Sequence, residues 1–382
     1  MKICDVVLNS VWHDPRVRKQ IAEYLKYNVD LVCVGMKDKR FDEKQVAAIP
    51  CHTVLVERDA VFGGTQKLVI KKIIRELYRI YLAARAICEQ KPDLIHANDL
   101  DALIPAFIAS RFIKCRLVFD AHEINCSNRY YDKYKLYDWA MSKIERYIVK
   151  RCDLMVCVSN AAAEYYEKHY NMKKPLVVTN CVLQHEIIWK EPEKHNGFEV
   201  LNHGMYRDAR GFELMIDSCD YFKDYPEIIL AARGLGPLED TFRENAIKQK
   251  TKNFLFYPPA HPTELIQQAS ASHVGVAITL PVCLNYVMSV SNRLFEYVAA
   301  GLPVIMSDIP EHRMINDKYH IGLIIPDNTP AEFAKAVIRL YEDREFYTAC
   351  KNNTRKLNEE IVWEKEFKKL FDAECMCVEV NL

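Results

Sequence analysis

The chain reads as an α/β protein built from two successive doubly wound domains, each a parallel sheet with helices on both faces. Three observations predict this. Short apolar strands alternate with helical patterns from one end to the other. The alternation is interrupted once, by the mostly polar stretch Gln184 to Asn196, and then restarts. At 382 residues, with 50% hydrophobic and 27% charged residues, the chain has room for two ordinary cores.

The elements follow in order. Lys2–Leu8 is strand-like and Arg16–Tyr27 helical. Val29–Val34 and His52–Glu57 alternate or run apolar as strands do, and a long helical pattern spans Gln66–Lys91. Asp93–Ala97, Arg116–Asp120, Leu154–Ser159 and Leu176–Thr179 read as strands, with helices over Asp101–Phe112, Tyr134–Arg151 and Asn160–His169 between them. After the polar stretch, taken as the linker, strands are expected at Phe198–His203, Glu227–Ala232, Asn253–Tyr257, Val274–Leu280, Pro303–Ser307 and Gly322–Ile325. Three helical patterns finish the chain, at Pro330–Tyr341, Arg344–Leu357 and Val362–Cys375. The domain boundary is therefore placed at 185/186, giving domains 1–185 and 186–382.

Composition narrows the class. The 14 cysteines are scattered with no CxxC pair, which favours reduced, buried thiols over a disulfide framework or a zinc site. The opening MKICDVVLNSVWHD is interrupted by Asp5 and does not read as a signal peptide, so a cytoplasmic location is expected. Two glycosylation sequons, at Asn125 and Asn352, are then chance matches. Formal net charge is zero, yet residues through 190 hold 31 Lys and Arg against 23 Asp and Glu, and the remainder 21 against 29. The basic excess peaks in the long helical pattern, at Lys67, Lys71, Lys72, Arg75, Arg79 and Arg85 among apolar residues. Such a face suits anionic lipid head groups, and equally an ordinary covering helix with a solvated basic side.

The most informative segment is SNRLFEYVAAGLPVIMSD, Ser291 to Asp308. Ser291 and Asn292 are helix N-cap residues, and Leu294, Phe295 and Val298 give the helix an apolar face. Gly301 stops the helix and Pro303 prevents its continuation into the strand Val304–Met306. Glu296 lies one turn in, near the positive helix end. A nucleotide diphosphate docks on free N–H groups there while a carboxylate accepts from ribose hydroxyls. A capped helix with a charged first turn is the plain structural alternative. Other loops on the same predicted sheet edge suit a sugar nucleotide. Gly204 ends one strand and leads through Met205-Tyr206-Arg207-Asp208-Ala209 to Arg210-Gly211 at a helix start, where the arginine fork matches a diphosphate. Arg233-Gly234-Leu235-Gly236-Pro237 follows the next strand, and Pro258-Pro259-Ala260-His261 the third, where it would line the base. A two-domain dehydrogenase fits the outline, but Gly234-Leu235-Gly236 lacks the third glycine of a dinucleotide fingerprint.

Several segments together, RLFEYVAAGLPVIMSDIPE, HGMYRDARGFELMI, LIHANDLDALIPA, LVFDAHEI, CDLMVCVSNAAAEYY and HDPRVRKQIAEYL, resemble the family-four retaining glycosyltransferases of the GT-B fold, over nearly the whole chain. The resemblance implies two Rossmann-like domains facing a central cleft, with the last helix crossing back to the first domain. It implies sugar transfer from a nucleotide donor in the second domain to an acceptor in the first, with retained anomeric configuration and no bound metal or other cofactor. By motif, Glu296 matches the glutamate that holds the donor ribose, and Ser291, Asn292 and Arg293 lie where backbone amides meet the diphosphate, Arg293 adding positive charge. Arg210 matches the basic residue on the diphosphate, with Gly204, Arg233 and Ala260 lining the donor, and His122 in FDAHE matches the cleft histidine near the transferred sugar. His122, Arg210 and Glu296 are thus the expected catalytic set; a satisfied structural contact is the plain alternative for His122.

Two positions depart from the pattern. Met288 stands eight residues before Glu296 where many members carry a second glutamate, so Asn285 or a main-chain group would take over contact with the donor sugar. Asn9-Ser10-Val11-Trp12-His13-Asp14 replaces a glycine pair after the first strand, and Asp14 and Arg16 either line the acceptor side or cap and start a helix. The expected partners are a nucleotide-sugar donor, a saccharide or lipid-linked acceptor and the inner membrane surface at the periphery, without nucleic acid. Polysaccharide or glycolipid assembly is the family-level role. A GT-B epimerase, separated by product formation without acceptor, and a non-catalytic nucleotide-binding member, separated by the absence of donor hydrolysis, are the rival readings.

Overall fold

A computed structural model describes residues 1–9, 11, 14–37, 43–57, 69–125, 135–190, 197–249 and 253–379. Two compact units emerge. The first holds Met1–Thr179 with Glu366–Leu382, the second Asn180–Lys365.

The first unit runs β1 (Lys2–Val7), α1 (Pro15–Tyr24), β2 (Asp30–Lys37), α2 (Glu43–Ala47), β3 (His52–Glu57), α3 (Val69–Gln90), β4 (Leu94–Asn98), α4 (Asp99–Ile113), β5 (Arg116–Ala121), α5 (Lys135–Val149), β6 (Leu154–Cys157), α6 (Asn160–Tyr170) and β7 (Leu176–Val177). Its strands pair in the order β3-β2-β1-β4-β5-β6-β7, all parallel. The order reverses between β1 and β4, and loops at the carboxyl ends beside that point are where such sheets bind ligands. Local chemistry sets the helix starts. The Asp14 carboxylate accepts from the N–H groups of Arg16 and Val17, and Pro15 fills the first helical position of α1. Ser159 caps α6 through the Ala162 N–H.

The second unit runs β8 (Phe198–His203), α7 (Phe212–Asp217), β9 (Ile228–Arg233), α8 (Glu239–Lys248), β10 (Phe254–Tyr257), α9 (Leu265–Ala269), β11 (Val274–Ala277), α10 (Leu284–Met288), α11 (Asn292–Ala299), β12 (Val304–Ser307), α12 (Pro310–Tyr319), β13 (Gly322–Ile325), α13 (Pro330–Glu342) and α14 (Arg344–Glu360). Its parallel sheet has the order β10-β9-β8-β11-β12-β13, with the reversal between β8 and β11. Val200, Leu230, Val276 and Ile305 from the strands bury against Phe212, Met215, Phe333 and Leu340 from the helices. Each such side chain is worth about 1.5–3 kcal/mol relative to exposure.

The last helix, α15 (Trp363–Glu379), starts in the second unit and belongs to the first from Glu366 onward. Within the first unit Phe371 stacks on Tyr27 at 4.1 Å, and the Glu366 carboxylate accepts from the Thr179 N–H at 2.9 Å. The domains are therefore not 1–185 and 186–382. The chain leaves the first unit at Thr179 and returns at Glu366. Polarity misled the linker assignment. Gln184 to Lys190 belongs to the second unit, where the Ile188 N–H donates to Ala299 O and the Trp189 indole N–H donates to Thr354 Oγ1 at 3.1 Å. Residues 191–196, the rest of that stretch, lie outside the described residues, as do Gln66–Leu68, Tyr134, Ser10, Trp12 and His13. Three strands end two or more residues early, β6 at Cys157, β7 at Val177 and β11 at Ala277, because a strand lasts only as long as its ladder, not its apolar run. The short helix α2 carries no apolar periodicity and was not foreseen.

Candidate donor and acceptor sites

In the second unit the donor loops gather at the carboxyl end of β8. Helix α11 begins at Ser291 with extended backbone and ends with Gly301 at φ +74°, whose N–H donates to Val298 O while that of Leu302 reaches Tyr297 O. This is the helix and stop expected from the segment Ser291 to Asp308. The Ser291 hydroxyl does not cap it. It accepts from Arg293 Nε at 3.2 Å instead, and among the described residues the N–H groups of Asn292 and Arg293 donate to no protein group. An uncapped helix start presents donors and partial positive charge to an anion.

Glu296 is partly exposed, with Oε2 2.7 Å from Nε2 of the buried His203. A carboxylate only accepts, so His203 Nε2 carries the proton. The imidazole is itself gripped. The His203 N–H donates to Tyr297 Oη at 2.8 Å, the two rings lie 4.3 Å apart, and Tyr297 packs over Gly275, where a methyl would fall 2.2 Å from its ring. His203 was missed from sequence because a histidine closing a strand is ordinary; Glu296 on the face opposite Leu294, Phe295 and Val298 was the available signal.

Gly204 follows with φ +128°, and a methyl there would sit 3.9 Å from Arg210 Nη1 and 3.5 Å from Arg293 Cδ. Gly234, at φ +155°, could carry no side chain, because a methyl would lie 1.9 Å from Gly204 O. That glycine serves the packing of two loops, joined by Gly204 N–H to Arg233 O at 2.9 Å. Arg210 presents its guanidinium with no hydrogen-bond or ion-pair partner among the described residues.

Two of the residues expected at the donor, Arg293 and Arg233, have side chains bonded to protein groups. The Arg293 side chain is buried, donating to Asn202 Oδ1 at 2.5 Å, Ile278 O at 2.7 Å and Arg210 O at 3.2 Å. It ties β8 to the loop after β11, and burial lowers its pKa to about 10 against the opposing pull of Tyr297 and Glu296. Arg233 donates to Pro258 O and Gln268 Oε1 and lies over the Tyr257 ring, so its charge serves the loop after β10. Ala260 lies in that loop with no hydrogen bond to the Gly204 turn. Asn292 is exposed and accepts from Asn180 Nδ2 at 3.4 Å. Asn285, the expected replacement for the missing glutamate, is buried on α10.

In the first unit the ends of β4 and β5 hold a buried polar network. Asp120 receives a two-pronged fork from Arg16 (3.0 Å from Nε, 2.8 Å from Nη2) and a third donor from Gln20 Nε2 at 3.0 Å. Arg16 also donates to Val178 O. Asp14 and Arg16 thus cap and lock α1; of the two readings, the structural one holds for both. Burial alone would raise the Asp120 pKa, but Arg16, then His122 and His96, hold it well below the carboxylate range. His96 lies between Glu374 Oε1 at 2.7 Å and Asp120 Oδ2 at 3.5 Å. Burial disfavours its cation, but the two carboxylates prevail and lift its pKa to about 10. Tyr24 Oη donates to Glu374 at 2.8 Å, so α15 supplies the acid that completes the network.

His122, after β5, has Nε2 3.1 Å from Asn98 Oδ1 and 3.6 Å from Asp120 Oδ2, and Nδ1 3.5 Å from Asp99 Oδ2. Burial would lower its pKa, but Asp99 and then Asp120 outweigh burial and raise it. Asp99 stands in the left-handed region at φ +64°, its carboxylate accepting from the His122 N–H at 3.0 Å.

Asp5, on β1, accepts from Asn98 Nδ2 through Oδ1, while its buried Oδ2 has no partner. Burial raises its pKa to about 6 against the opposing pull of His96. A raised carboxylate stabilises the fold below its unfolded pKa of about 3.9 and loses that contribution as pH climbs through about 6. Asp5→Asn is therefore expected to stabilise the protein on the order of 2–3 kcal/mol above neutral pH, with the gain vanishing toward pH ~4. Urea unfolding at the two pH values tests this; an equal effect at both would refute it.

Comparison with known proteins bears on these sites. The family model "Glycosyltransferase Family 4" matches residues 16–182 and "Glycosyl transferases group 1" residues 184–357. No curated protein matches the chain significantly. Among solved structures, a glycosyltransferase from Rickettsia africae superposes with TM-score 0.74 at 13% identity, covering 99% of this chain and 98% of that one. Sucrose-phosphate synthase from Thermosynechococcus elongatus gives 0.76 at 14% identity over all of both chains. Anabaena HepE, solved in complex with UDP-glucose, gives 0.73 at 14% identity over 97% and 98%. At such identity the structures establish the GT-B fold, and the two adjoining sequence matches establish the lineage: this chain belongs to the family-four, group 1 glycosyltransferases.

Proposed function

We propose that the second domain binds a nucleoside-diphosphate sugar at the Gly204 turn and that the enzyme transfers the sugar, with retention, to a saccharide or lipid-linked acceptor taken by the first domain. The observation that carries this reading is Glu296, held by His203 at 2.7 Å beside an uncapped helix start and the Arg210 guanidinium, which has no partner among the described residues. A ribose hydroxyl pair needs a fixed acceptor and a diphosphate needs donors and positive charge; the Gly204 turn offers both within one loop cluster. Complexes of HepE with UDP and UDP-glucose lend the donor class further support.

In the reaction the bond from the anomeric carbon to the diphosphate oxygen breaks and a bond to the acceptor hydroxyl oxygen forms on the same face. The acceptor proton passes to the departing phosphate oxygen, leaving a nucleoside diphosphate and a glycoside. Arg210 and the α11 N-terminus meet the charge that grows on the leaving group. His122 donates from its ring to a sugar hydroxyl. No side chain needs to act as nucleophile and no metal or other cofactor is required, so turnover is expected to persist in chelator. The role is polysaccharide or glycolipid synthesis on the cytoplasmic side of a membrane, with a hexose or a related sugar as the transferred group.

A thermal-shift panel of UDP, GDP, ADP and their sugars identifies the base, since a ligand of the folded state raises the melting temperature by mass action. With that nucleotide, Glu296→Ala is expected to weaken binding roughly 10- to 100-fold, the worth of a hydrogen bond to a charged group. His203→Phe keeps the ring and should shift affinity the same way. Unaltered calorimetric affinity in Glu296→Ala would refute the ribose role.

A further inference from the structure

The first unit carries a surface that neither sugar transfer nor the core accounts for. Helix α4 packs against both α3 and α5, so the three helices form one layer on a face of the sheet. On α3, Ile73, Leu77 and Tyr81 repeat every four residues along one exposed stripe, with Ile74 and Tyr78 beside it. On α5, Leu136 is 79% exposed, Trp139 59% and Tyr147 55%, with Ile144 also on the surface. Soluble proteins seldom leave this much large apolar surface uncovered.

The exposed charges on and just after α5 are positive. Lys135, Lys143, Arg146, Lys150 and Arg151 are all exposed on or just after α5. Acidic residues are few there: Glu145 is buried and accepts from the hydroxyls of Tyr166 and Tyr170, leaving Asp138, half-buried, as the other acid of the helix. Arg151 lies 3.7 Å over the Tyr147 ring and Lys143 5.9 Å from that of Trp139, so cations and aromatics share one face. On α3, Arg75 and Arg79 gather around Glu76 and Arg85 pairs with Glu89 at 2.8 Å, with Lys71 adding a further positive charge.

We propose that the α3/α4/α5 layer, led by α5, is a docking surface for an anionic phospholipid membrane. Trp139, Tyr137, Tyr147, Tyr78 and Tyr81 sit at head-group depth. Leu136, Ile144, Ile73 and Leu77 reach the acyl boundary, and the lysines and arginines meet lipid phosphates. A nucleic acid would use the cations but has nothing to receive Leu136 and Ile144. The surface is distinct from the donor site, and its test involves no nucleotide, so either reading can fail without the other.

The test is co-sedimentation of the whole chain with vesicles of phosphatidylcholine containing phosphatidylglycerol, against phosphatidylcholine alone. Preferential binding to the anionic vesicles, weakened by salt, is expected. Lys143→Gln with Arg146→Gln and Lys150→Gln should reduce partitioning roughly fivefold per cation removed, on the order of a hundredfold together. Trp139→Ser with Ile144→Ser should remove the binding that survives high salt, and circular dichroism checks that each variant is folded. No binding by the wild type, wild-type partitioning by the folded triple variant, or retention on RNA with none on vesicles would each overturn the proposal.

Discussion

Arg16→Ala is expected to destabilise the protein by about 3–5 kcal/mol, the cost of leaving a buried carboxylate without its cation. Asp120 is fully buried and takes both prongs of the Arg16 fork, and neither side chain reaches solvent to a useful degree. Gln20 would remain, but one neutral donor does not replace a guanidinium. Arg16→Lys should fall between the two, because an ammonium offers charge without the planar fork. Chemical unfolding at neutral pH gives the number. A loss below about 1 kcal/mol, typical of an exposed pair, would show that water or protonation takes over from Arg16. The pH dependence is a second check. Asp120, with its lowered pKa, contributes stability above its unfolded pKa that is lost on acidification. His96, raised to about 10, contributes below its unfolded pKa and loses that contribution as pH rises toward 10. The wild type should therefore weaken at both ends. In Arg16→Ala the acid limb should move to higher pH, because Asp120 loses the cation that keeps it ionised.

Arg210→Ala is expected to lower kcat/KM by roughly 10²–10³-fold under the proposed donor site, as for loss of one preorganised donor to a developing oxyanion. The physical ground is that Arg210 is unspent: its carbonyl accepts from Asn202 and Arg293, while its guanidinium holds no carboxylate among the described residues. Its removal should leave the melting temperature near that of the wild type. Steady-state kinetics with the donor found by thermal shift decides the matter. Near-normal turnover would exclude Arg210 from the leaving group, and a collapse of stability would recast it as structural. Arg293→Ala is the contrast: it strips the donors from Asn202, Ile278 and Arg210 and should chiefly unfold the turn.

How much of this was legible beforehand differs by residue. The helix Asn292–Ala299, its stop at Gly301 and the strand after it follow from local rules: cap chemistry, apolar spacing and the one backbone region that glycine enters freely. The repeated alternation carried the two parallel sheets for the same reason. Motif position named Arg210, Glu296 and Arg293 alike. It could not say that Arg293 points into the interior while the Arg210 guanidinium has no partner among the described residues, because that depends on where the carbonyls of Arg210 and Ile278 arrive. Nor could it find His203, whose partner lies 93 residues away.

What the chain by itself determined is therefore the periodic part: strand and helix types, the glycine stops, and the class of chemistry implied by a carboxylate one turn into a helix. What only the tertiary structure decided is the division at Thr179 and Glu366, the docking of Trp189, and which cations are spent inside. The reason is range. Backbone preference and capping act within a turn of helix. The sharing of a buried charge among Glu374, His96, Asp120 and Arg16 depends on contacts spanning up to 278 residues, which sequence proximity does not encode.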